Sequence, residues 1–335
     1  MSRPVAVVTD PIHEDGITRL EERCEVVRFD QLPDPGQREA ALARAEVLVI
    51  RSFPVDAALV ERCPRLRSVG KHGSGVDNVD IPALTRAGIP LANTPGGSNS
   101  TAVAEAAITL MLAVLRHVFE IHEAVKDGRF DLRFTLRGGD LWERTVGIVG
   151  IGNIGTHVAR ICGAGFNMRV LAYDPYLSAA EIAERGAQKV DTLEELLAVS
   201  DVVTLHAPLT PETRAIIDAR ALAAMKPSAV LVNTSRGPTV DRAALYDALA
   251  SRRIRGAGID VFDPEPPEVG DPLLSLPNIV LGAHTAGLTE ESTRQMAVLT
   301  VDVALDMLGG RKPATLLNPE VWEGRRTAEP EPART

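Results

Sequence analysis

The stretch "VGIVGIGNIG", residues 146–155, joins a short apolar run to Gly150-x-Gly152-x-x-Gly155, and a helical pattern follows at once. Four to six apolar residues bounded by glycine read as a buried strand. A glycine triplet with this spacing says little by itself, but between a strand and a helix each glycine has a physical reason. Gly150 permits the tight turn, Gly152 lets backbone approach a pyrophosphate, and Gly155 lets the helix pack close to the strand. The N–H groups at the helix start then face phosphate oxygens. The next strand, "RVLAYD" (169–174), ends in Asp174, 19 positions past Gly155. A carboxylate there accepts hydrogen bonds from the adenosine ribose hydroxyls and repels a 2′-phosphate, which points to NAD rather than NADP.

Outward from this loop, short apolar runs alternate with helical patterns through most of the chain, the signature of βαβ units and parallel sheets. Downstream, strands are expected at "DVVTLH" (201–206), "AVLVN" (229–233), "GAGIDV" (256–261) and "NIVLGA" (278–283), giving six strand–helix repeats in this half. Upstream, "VAVVT" (5–9), "CEVVRF" (24–29), "VLVI" (47–50), "LRSVGK" (66–71) and "IPLAN" (89–93) form a second series. Helices are expected at 56–63 and 80–88, the latter closed by Gly88. "NTPGGSNST" (93–101) reads as a loop or hinge, followed by one long helix over Ala102–Lys126 and a loop at Gly138-Gly139. Thr192 with Glu195 forms a capping box, and Thr210-Pro211-Glu212 carries the cap, first-turn proline and acid of another helix start. A last helix spans Glu290–Leu308, and the charged, proline-containing tail 323–335 is expected to be disordered. The fold class is therefore α/β, with two doubly wound parallel-sheet domains.

The gross composition narrows the function. A chain of 335 residues suggests about two domains, and 45% hydrophobic with 24% charged residues is ordinary for a soluble protein. A net charge of −9 argues against nucleic acid or an anionic membrane as partner. Three scattered cysteines, Cys24, Cys63 and Cys162, fit a reducing compartment. No CxxC or HExxH pattern supports a metal site. The N-terminus lacks the apolar region of a signal peptide, and "AAITLMLAVL" (106–115) is too short to span a bilayer, so a cytoplasmic protein is expected.

Open α/β sheets bind ligands outside the carboxyl ends of their strands. In the second half that edge collects Arg236 after "VLVNTS", Asp260 in "GIDV", Glu265 in "DPEPP" and His284 in "GAHTAG". Any of these alone reads most simply as a solvated strand end or a structural histidine. Together they match one chemistry. Reducing a 2-oxo acid needs a hydride at the carbonyl carbon, a proton at its oxygen and a grip on the carboxylate. An imidazole titrates near neutrality and suits His284 to the proton transfer. Glu265 beside it would stabilise the imidazolium. Arg236 can pair with the carboxylate and polarise the carbonyl.

With these residues in place, the sequence resembles the D-isomer-specific 2-hydroxyacid dehydrogenase family, near its D-3-phosphoglycerate dehydrogenase branch. The resemblance rests on "KHGSGVDNVD" (71–80), "NTPGGSNSTAVAE" (93–105), "VGIVGIGNIG" (146–155), "YDPY" (173–176), "HAPLTPET" (206–213), "NTSRGPTVD" (233–241), "GIDVFDPEPP" (258–267) and "GAHTAG" (282–287), in family order. It implies a Rossmann NAD domain, 101–287, inserted into a discontinuous flavodoxin-like substrate domain, 1–100 and 288–322, with a hinge of two crossing helices. It places the catalytic roles on Arg236, Glu265 and His284. Cofactor contacts fall on the glycine loop with Asn153 and Ile154, on Asp174, Ala207, Thr234 and Gly287, on Pro208 beside the adenine, and on Asp260 holding the nicotinamide amide. It also implies that the loop from Lys71 to Val76, with Gly73, Ser74 and Gly75, holds the substrate carboxylate, and that the protein is a homodimer. The chain has no room for a C-terminal regulatory domain, so feedback through one is not expected. Glu265 disfavours a formate dehydrogenase, and "ERT" (143–145) stands where many relatives have "GKT".

Arg51 and Ser52 follow one strand of the first half, and Lys71 and His72 end another. They suit a second anionic group on the substrate, as in 3-phosphoglycerate, although solvated strand-end charges read equally well. Hydroxypyruvate and glyoxylate remain open as substrates. An NAD(H)-sensing corepressor is the reading from another class, and turnover of NADH with a 2-oxo acid separates it from an enzyme.

Overall fold

A computed structural model of the protein describes residues 3–73, 75–94 and 99–327. The chain divides into two compact units, one of residues 1–99 and 289–335 and the other of Ser100–Leu288.

In the first unit five strands, β1 (Val5–Val8), β2 (Glu25–Arg28), β3 (Val47–Ile50), β4 (Ser68–Lys71) and β5 (Leu91–Asn93), pair in parallel in the order β2-β1-β3-β4-β5. This is the flavodoxin-like order, with a topological switch between β1 and β3. β1 and β3 are buried on both faces, which is why "VAVV" and "VLVI" read as unbroken apolar runs. The helices α1 (Glu14–Glu21), α2 (Pro35–Arg44), α3 (Ala57–Arg62) and α4 (Ile81–Arg86) cover them. Asp34, Asp56 and Asp80 cap α2, α3 and α4 through their side chains. Gly88, at φ +68°, closes α4: its N–H donates to Thr85 O at 3.0 Å and that of Ile89 to Leu84 O at 2.9 Å. These two bonds are the Schellman pattern, so the glycine ends the helix where the sequence placed it.

The second unit carries α5 (Ser100–Leu115), α6 (Val118–Lys126), β6 (Thr145–Val149), α7 (Asn153–Arg160), β7 (Arg169–Tyr173), α8 (Ala179–Glu184), β8 (Gln188–Lys189), α9 (Leu193–Val199), β9 (Val202–Leu205), α10 (Ala219–Ala224), β10 (Val230–Asn233), α11 (Arg242–Ala250), β11 (Gly256–Ile259) and β12 (Ile279–Leu281). Its seven strands are parallel in the order β12-β11-β10-β9-β6-β7-β8, a Rossmann arrangement that switches direction between β6 and β9. One face packs Val146, Ile148, Val230 and Val232 against Met111, Leu115 and Val158 of α5 and α7. The other packs Val149, Val203, Leu231 and Ile259 against Leu196, Leu222 and Leu245 of α9, α10 and α11. Alternate residues of each strand thus serve opposite helical layers. The final helix, α12 (Glu290–Leu308), starts at a Thr289 capping box and belongs to the first unit, where Val301, Ala304 and Leu305 join Ala6, Val8, Val47 and Val49.

Four expectations are corrected. The helix expected over 102–126 is two, bent by 58°. Leu115 O accepts from Gly139 N–H at 2.8 Å and from the Arg255 guanidinium at 3.2 Å, and His117 takes a left-handed φ of 52°. Thr210-Pro211-Glu212 opens a turn, not a helix, because Ala215 is left-handed and its N–H, with that of Ile217, goes to Pro238 O and Thr239 O. The second sheet has a seventh strand, β8, only two residues long. The tail does not begin at 323: Arg326 N–H donates to Gly88 O at 2.8 Å and its guanidinium to Pro64 O at 2.9 Å. Residues 328–335, like Ser74 and residues 95–98 of the expected hinge, lie outside the described residues. No single helix among the described residues is long and apolar enough to cross a membrane.

Candidate active site

The glycine loop leaves β6 at the switch point. Gly150 has φ +83°, and a Cβ there would stand 2.8 Å from Ala207 N, so backbone of the β6 and β9 connections touches where only glycine fits. A Cβ on Gly155 would lie 2.5 Å from Gly150 O, the close helix–loop approach that its spacing suggested. A Cβ on Gly152 would meet nothing within 4 Å. Gly152 is also the cap of α7 and supplies no side-chain hydrogen bond to Asn153 or Ile154 in the first turn. This is an open cradle at a helix N-terminus, the arrangement that suits a pyrophosphate. Asp174 stands beside it: Oδ2 accepts from Ile151 N–H at 3.2 Å and Oδ1 from Tyr176 N–H at 3.1 Å.

Further along the same edge, β10 ends in a small polar network that the sequence reading missed. Asn233 Oδ1 accepts from Ser235 N–H at 3.0 Å and Ser235 Oγ at 2.7 Å, while its Nδ2 donates to Arg236 O at 2.9 Å. Thr239 Oγ1 donates to the same carbonyl at 2.7 Å. The backbone of Arg236 is thereby fixed, and its Nη1 donates to Ser235 O at 2.7 Å. The crowding of Asn, Thr and Ser after an apolar strand was the available signal. Thr234 is buried, and its Oγ1 has no hydrogen-bond partner among the described residues. A buried hydroxyl left so is costly, and a ligand at this edge would satisfy it.

Asp260 follows β11 and is 3% exposed. Its carboxylate accepts from Thr285 N–H at 3.0 Å and Ala286 N–H at 2.9 Å, which ties the His284 loop to β11. His284 itself has φ 54° and donates its backbone N–H to Asp260 O at 2.7 Å. Its Nδ1 lies 2.9 Å from Glu265 Oε2, and Glu265 Oε1 accepts from Phe262 N–H at 2.9 Å. The carboxylate and imidazole, 19 residues apart in sequence, form a hydrogen-bonded pair on the edge that holds the glycine loop. Gly287 lies in the same loop, half-buried. Ala207 and Pro208 follow β9, directly after His206, a half-buried residue not singled out from sequence. Its Nε2 is 3.0 Å from Thr204 Oγ1, and burial pushes its pKa down to about 3.

In the first unit, Arg51 and Ser52 follow β3 at that sheet's switch point, where Asp10 Oδ2 accepts from Arg51 N–H at 3.0 Å. Lys71 is buried at the end of β4 and donates its ammonium to Arg51 O at 2.6 Å and His72 O at 3.2 Å. Gly73, in the loop that the family resemblance sets on the substrate carboxylate, has φ +94°, and its N–H is taken by Thr94 Oγ1 at 2.6 Å. Gly75 is half-buried in the same loop. Burial, with the charges of Arg51 and Lys71, pushes the His72 pKa down to about 4.

A Rossmann-ordered sheet, a glycine loop at its switch point and an acid at the end of the next strand define a dinucleotide-binding α/β protein. The chain belongs to the D-isomer specific 2-hydroxyacid dehydrogenase family: residues 108–286 match that family's NAD binding domain. It is 38% identical over 329 residues to the glyoxylate reductase of Korarchaeum cryptofilum, covering 96% of this chain and 98% of that one. It is also 38% identical over 313 residues to the D-3-phosphoglycerate dehydrogenase of Methanocaldococcus jannaschii, covering 93% of this chain but 59% of that longer protein. Among solved structures, a glyoxylate reductase from Paecilomyes thermophila superposes with a TM-score of 0.82 at 29% identity, covering 96% of this chain and 99% of that one.

Proposed function

We propose that the protein is an NAD-dependent dehydrogenase that interconverts a D-2-hydroxy acid and its 2-oxo acid. The observation that carries the reading is the His284–Glu265 pair, 2.9 Å apart on the ligand edge of a Rossmann sheet. The residues suited to the cofactor are the glycine loop with Asn153 and Ile154 for the pyrophosphate, Asp174 for the ribose, Ala207 and Pro208 for the adenine side, and Thr234, Asp260 and Gly287 towards the nicotinamide. When bound, the dinucleotide supplies or accepts the hydride at the substrate's C2.

The chain's own residues handle the proton and the charge. With Nδ1–H donating to Glu265, His284 keeps Nε2 for the substrate oxygen. In reduction Nε2–H gives its proton to the carbonyl oxygen as the C–O bond takes up an electron pair. In oxidation the neutral ring takes that proton back. Glu265 holds the ring in one orientation and stabilises its charged form. Arg236 pairs its planar fork with the carboxylate and polarises the carbonyl. Asp260 acts through backbone, fixing the loop that carries the histidine.

Arg51, Ser52, Lys71, Ser74 and the Gly73 and Gly75 loop are proposed as contacts for the substrate's anionic groups. Gly73 contributes shape rather than an N–H, since Thr94 takes that donor. Support for a substrate with a second anion comes from Arg51 at the switch point of its own sheet. The protein is further inferred to be cytoplasmic, with three free, buried cysteines, and to pair with a second copy. In favour of pairing, one stretch exposes Phe119, Phe130, Phe134 and Trp142.

A panel of 2-oxo acids with NADH and 2-hydroxy acids with NAD, followed by nicotinamide absorbance, tests the function. Turnover with one pair is expected. NADH binding without turnover on any 2-oxo acid would overturn it. Arg51→Ala should harm substrates with a second anion and spare glyoxylate.

A further inference from the structure

At the amino edge of the second unit's sheet, opposite the ligand edge, two strands are entered through arginines. Arg144 precedes β6 and Arg255 precedes β11. The Arg255 guanidinium is committed on one side only: Nη2 donates to Leu115 O at 3.2 Å and Arg137 O at 3.3 Å, and lies 3.1 Å from His117 Nε2. Its Nε is buried with no hydrogen-bond partner among the described residues. The Arg144 side chain makes no hydrogen bond or ion pair with them either. Arg116, also nearby, is engaged by Asp140 at 3.4 Å.

Both guanidinium groups approach the Gly138-Gly139 loop. A Cβ built on Gly139 would lie 3.6 Å from Arg144 Nη2 and 3.7 Å from Arg255 Nη1, with Leu115 Cδ2 below it at 3.3 Å. The absent side chain therefore leaves a gap about one atom wide, bordered by both positive forks. Burial holds the Arg255 pKa below its ordinary value, the Arg144 charge adds to this, and no carboxylate acts the other way. Capping the end of α5 accounts for Nη2 of Arg255. It does not account for Nη1, for Nε, or for a second guanidinium brought close without a counter-ion.

We propose that Arg144, Arg255 and the Gly138-Gly139 turn form a binding site for a small oxyanion of the phosphate type, remote from the edge that carries Arg236, Glu265 and His284. One oxygen in the Gly139 gap reaches both forks, and a tetrahedral dianion keeps its other oxygens for solvent or for the rest of a phosphorylated ligand. Bound anion removes the repulsion between the arginines and braces the bend between α5 and α6.

The test uses inorganic phosphate. Thermal unfolding is followed as phosphate replaces sodium chloride at constant ionic strength, with saturating NADH in every sample to occupy the glycine loop. A rise in Tm of about 3 °C is expected at tenfold excess over the dissociation constant. Arg144→Gln should abolish it. Gly139→Ala keeps both charges, fills the gap and should abolish it too, which separates a shaped site from a diffuse basic patch. No gain over chloride, or a full gain in both variants, would each overturn the proposal. So would a Tm that depends on protein concentration through Arg144 but ignores phosphate, because the counter-ion would then be a carboxylate of a second copy.

Discussion

Glu265→Gln removes one charge and no volume, and its effect can be worked from two hydrogen bonds. The carboxylate has two engagements, Oε1 with Phe262 N–H and Oε2 with His284 Nδ1, each at 2.9 Å. Phe262 N–H can only donate, and in the working tautomer so does His284 Nδ1–H. An amide has one acceptor oxygen to offer two donors on opposite sides. If the oxygen stays with Phe262, the amide N–H₂ turns to the imidazole, which must then move its proton to Nε2 to avoid a donor–donor clash. The ring can still donate to the substrate, but the imidazolium has lost its counter-charge. If the oxygen turns to His284, the Phe262 end of the loop is left with opposed donors. One bond to a charged group is lost either way, worth about 1.5–3 kcal/mol in full burial. The side chains of His284 and Glu265 are 50% and 37% exposed, so screening reduces this to about 1–2 kcal/mol. That corresponds to a loss of about 5–30-fold in kcat/KM. The assay is steady-state NADH oxidation with the best 2-oxo acid, beside NADH affinity from quenching of protein fluorescence. Affinity should hold, because Glu265 is not among the residues proposed for the cofactor. A variant within twofold of the parent, or one that loses affinity and turnover in equal measure, refutes the orienting role.

Three further outcomes are expected. Gly282→Ala would put a methyl 2.1 Å from Asp260 Oδ1 and disturb its bonds to Thr285 and Ala286 N–H; about 3 kcal/mol of stability should be lost, and turnover with it, while a Tm within 2 °C of the parent counts against this. Asp174→Ala should weaken NADH binding by about tenfold or more and narrow the gap to NADPH, an unchanged ratio of dissociation constants being the contrary result. His72 and His206, held neutral down to about pH 4 and 3 against an ordinary value of 6.5, bind fewer protons folded than unfolded. Stability should therefore fall as pH drops below about 6.5, by about 1.4 kcal/mol per pH unit for the unit holding each histidine. Urea melts at pH 6.5 and 5.0 read it directly, and His72→Gln and His206→Gln should flatten the slope of their own units.

What the sequence disclosed and what it withheld divide along the reach of the interactions. Strands such as "VLVI" and "VLVN" were legible because a parallel strand buried on both faces must be apolar throughout, and its end is marked where polar residues such as Arg51 or Asn233 begin. The ligand edge comes from the same fact: once all strands run parallel, every residue just past a strand end shares one edge, so strand order alone gathers Arg236, Asp260 and His284 there. Strand β8 was not legible, since Gln188 and Lys189 have neither apolar content nor length and are made a strand only by pairing with Leu171 and Ala172. The break between α5 and α6 was not legible either. The apolar period runs on past Leu115, and what ends the helix is a guanidinium 140 residues downstream together with the Gly139 N–H. The same arginine shows why such misses matter for function. A window of sequence around Arg255 contains "SRRIRG", which reads as surface charge. Only the fold sets it against Arg144 across a side chain that Gly139 does not have. Candidate groups gathered at a sheet edge are predictable from strand order, because the backbone alone decides which residues stand there. A site made from loops at the opposite edge depends on where long side chains end, and that information is not in any local pattern.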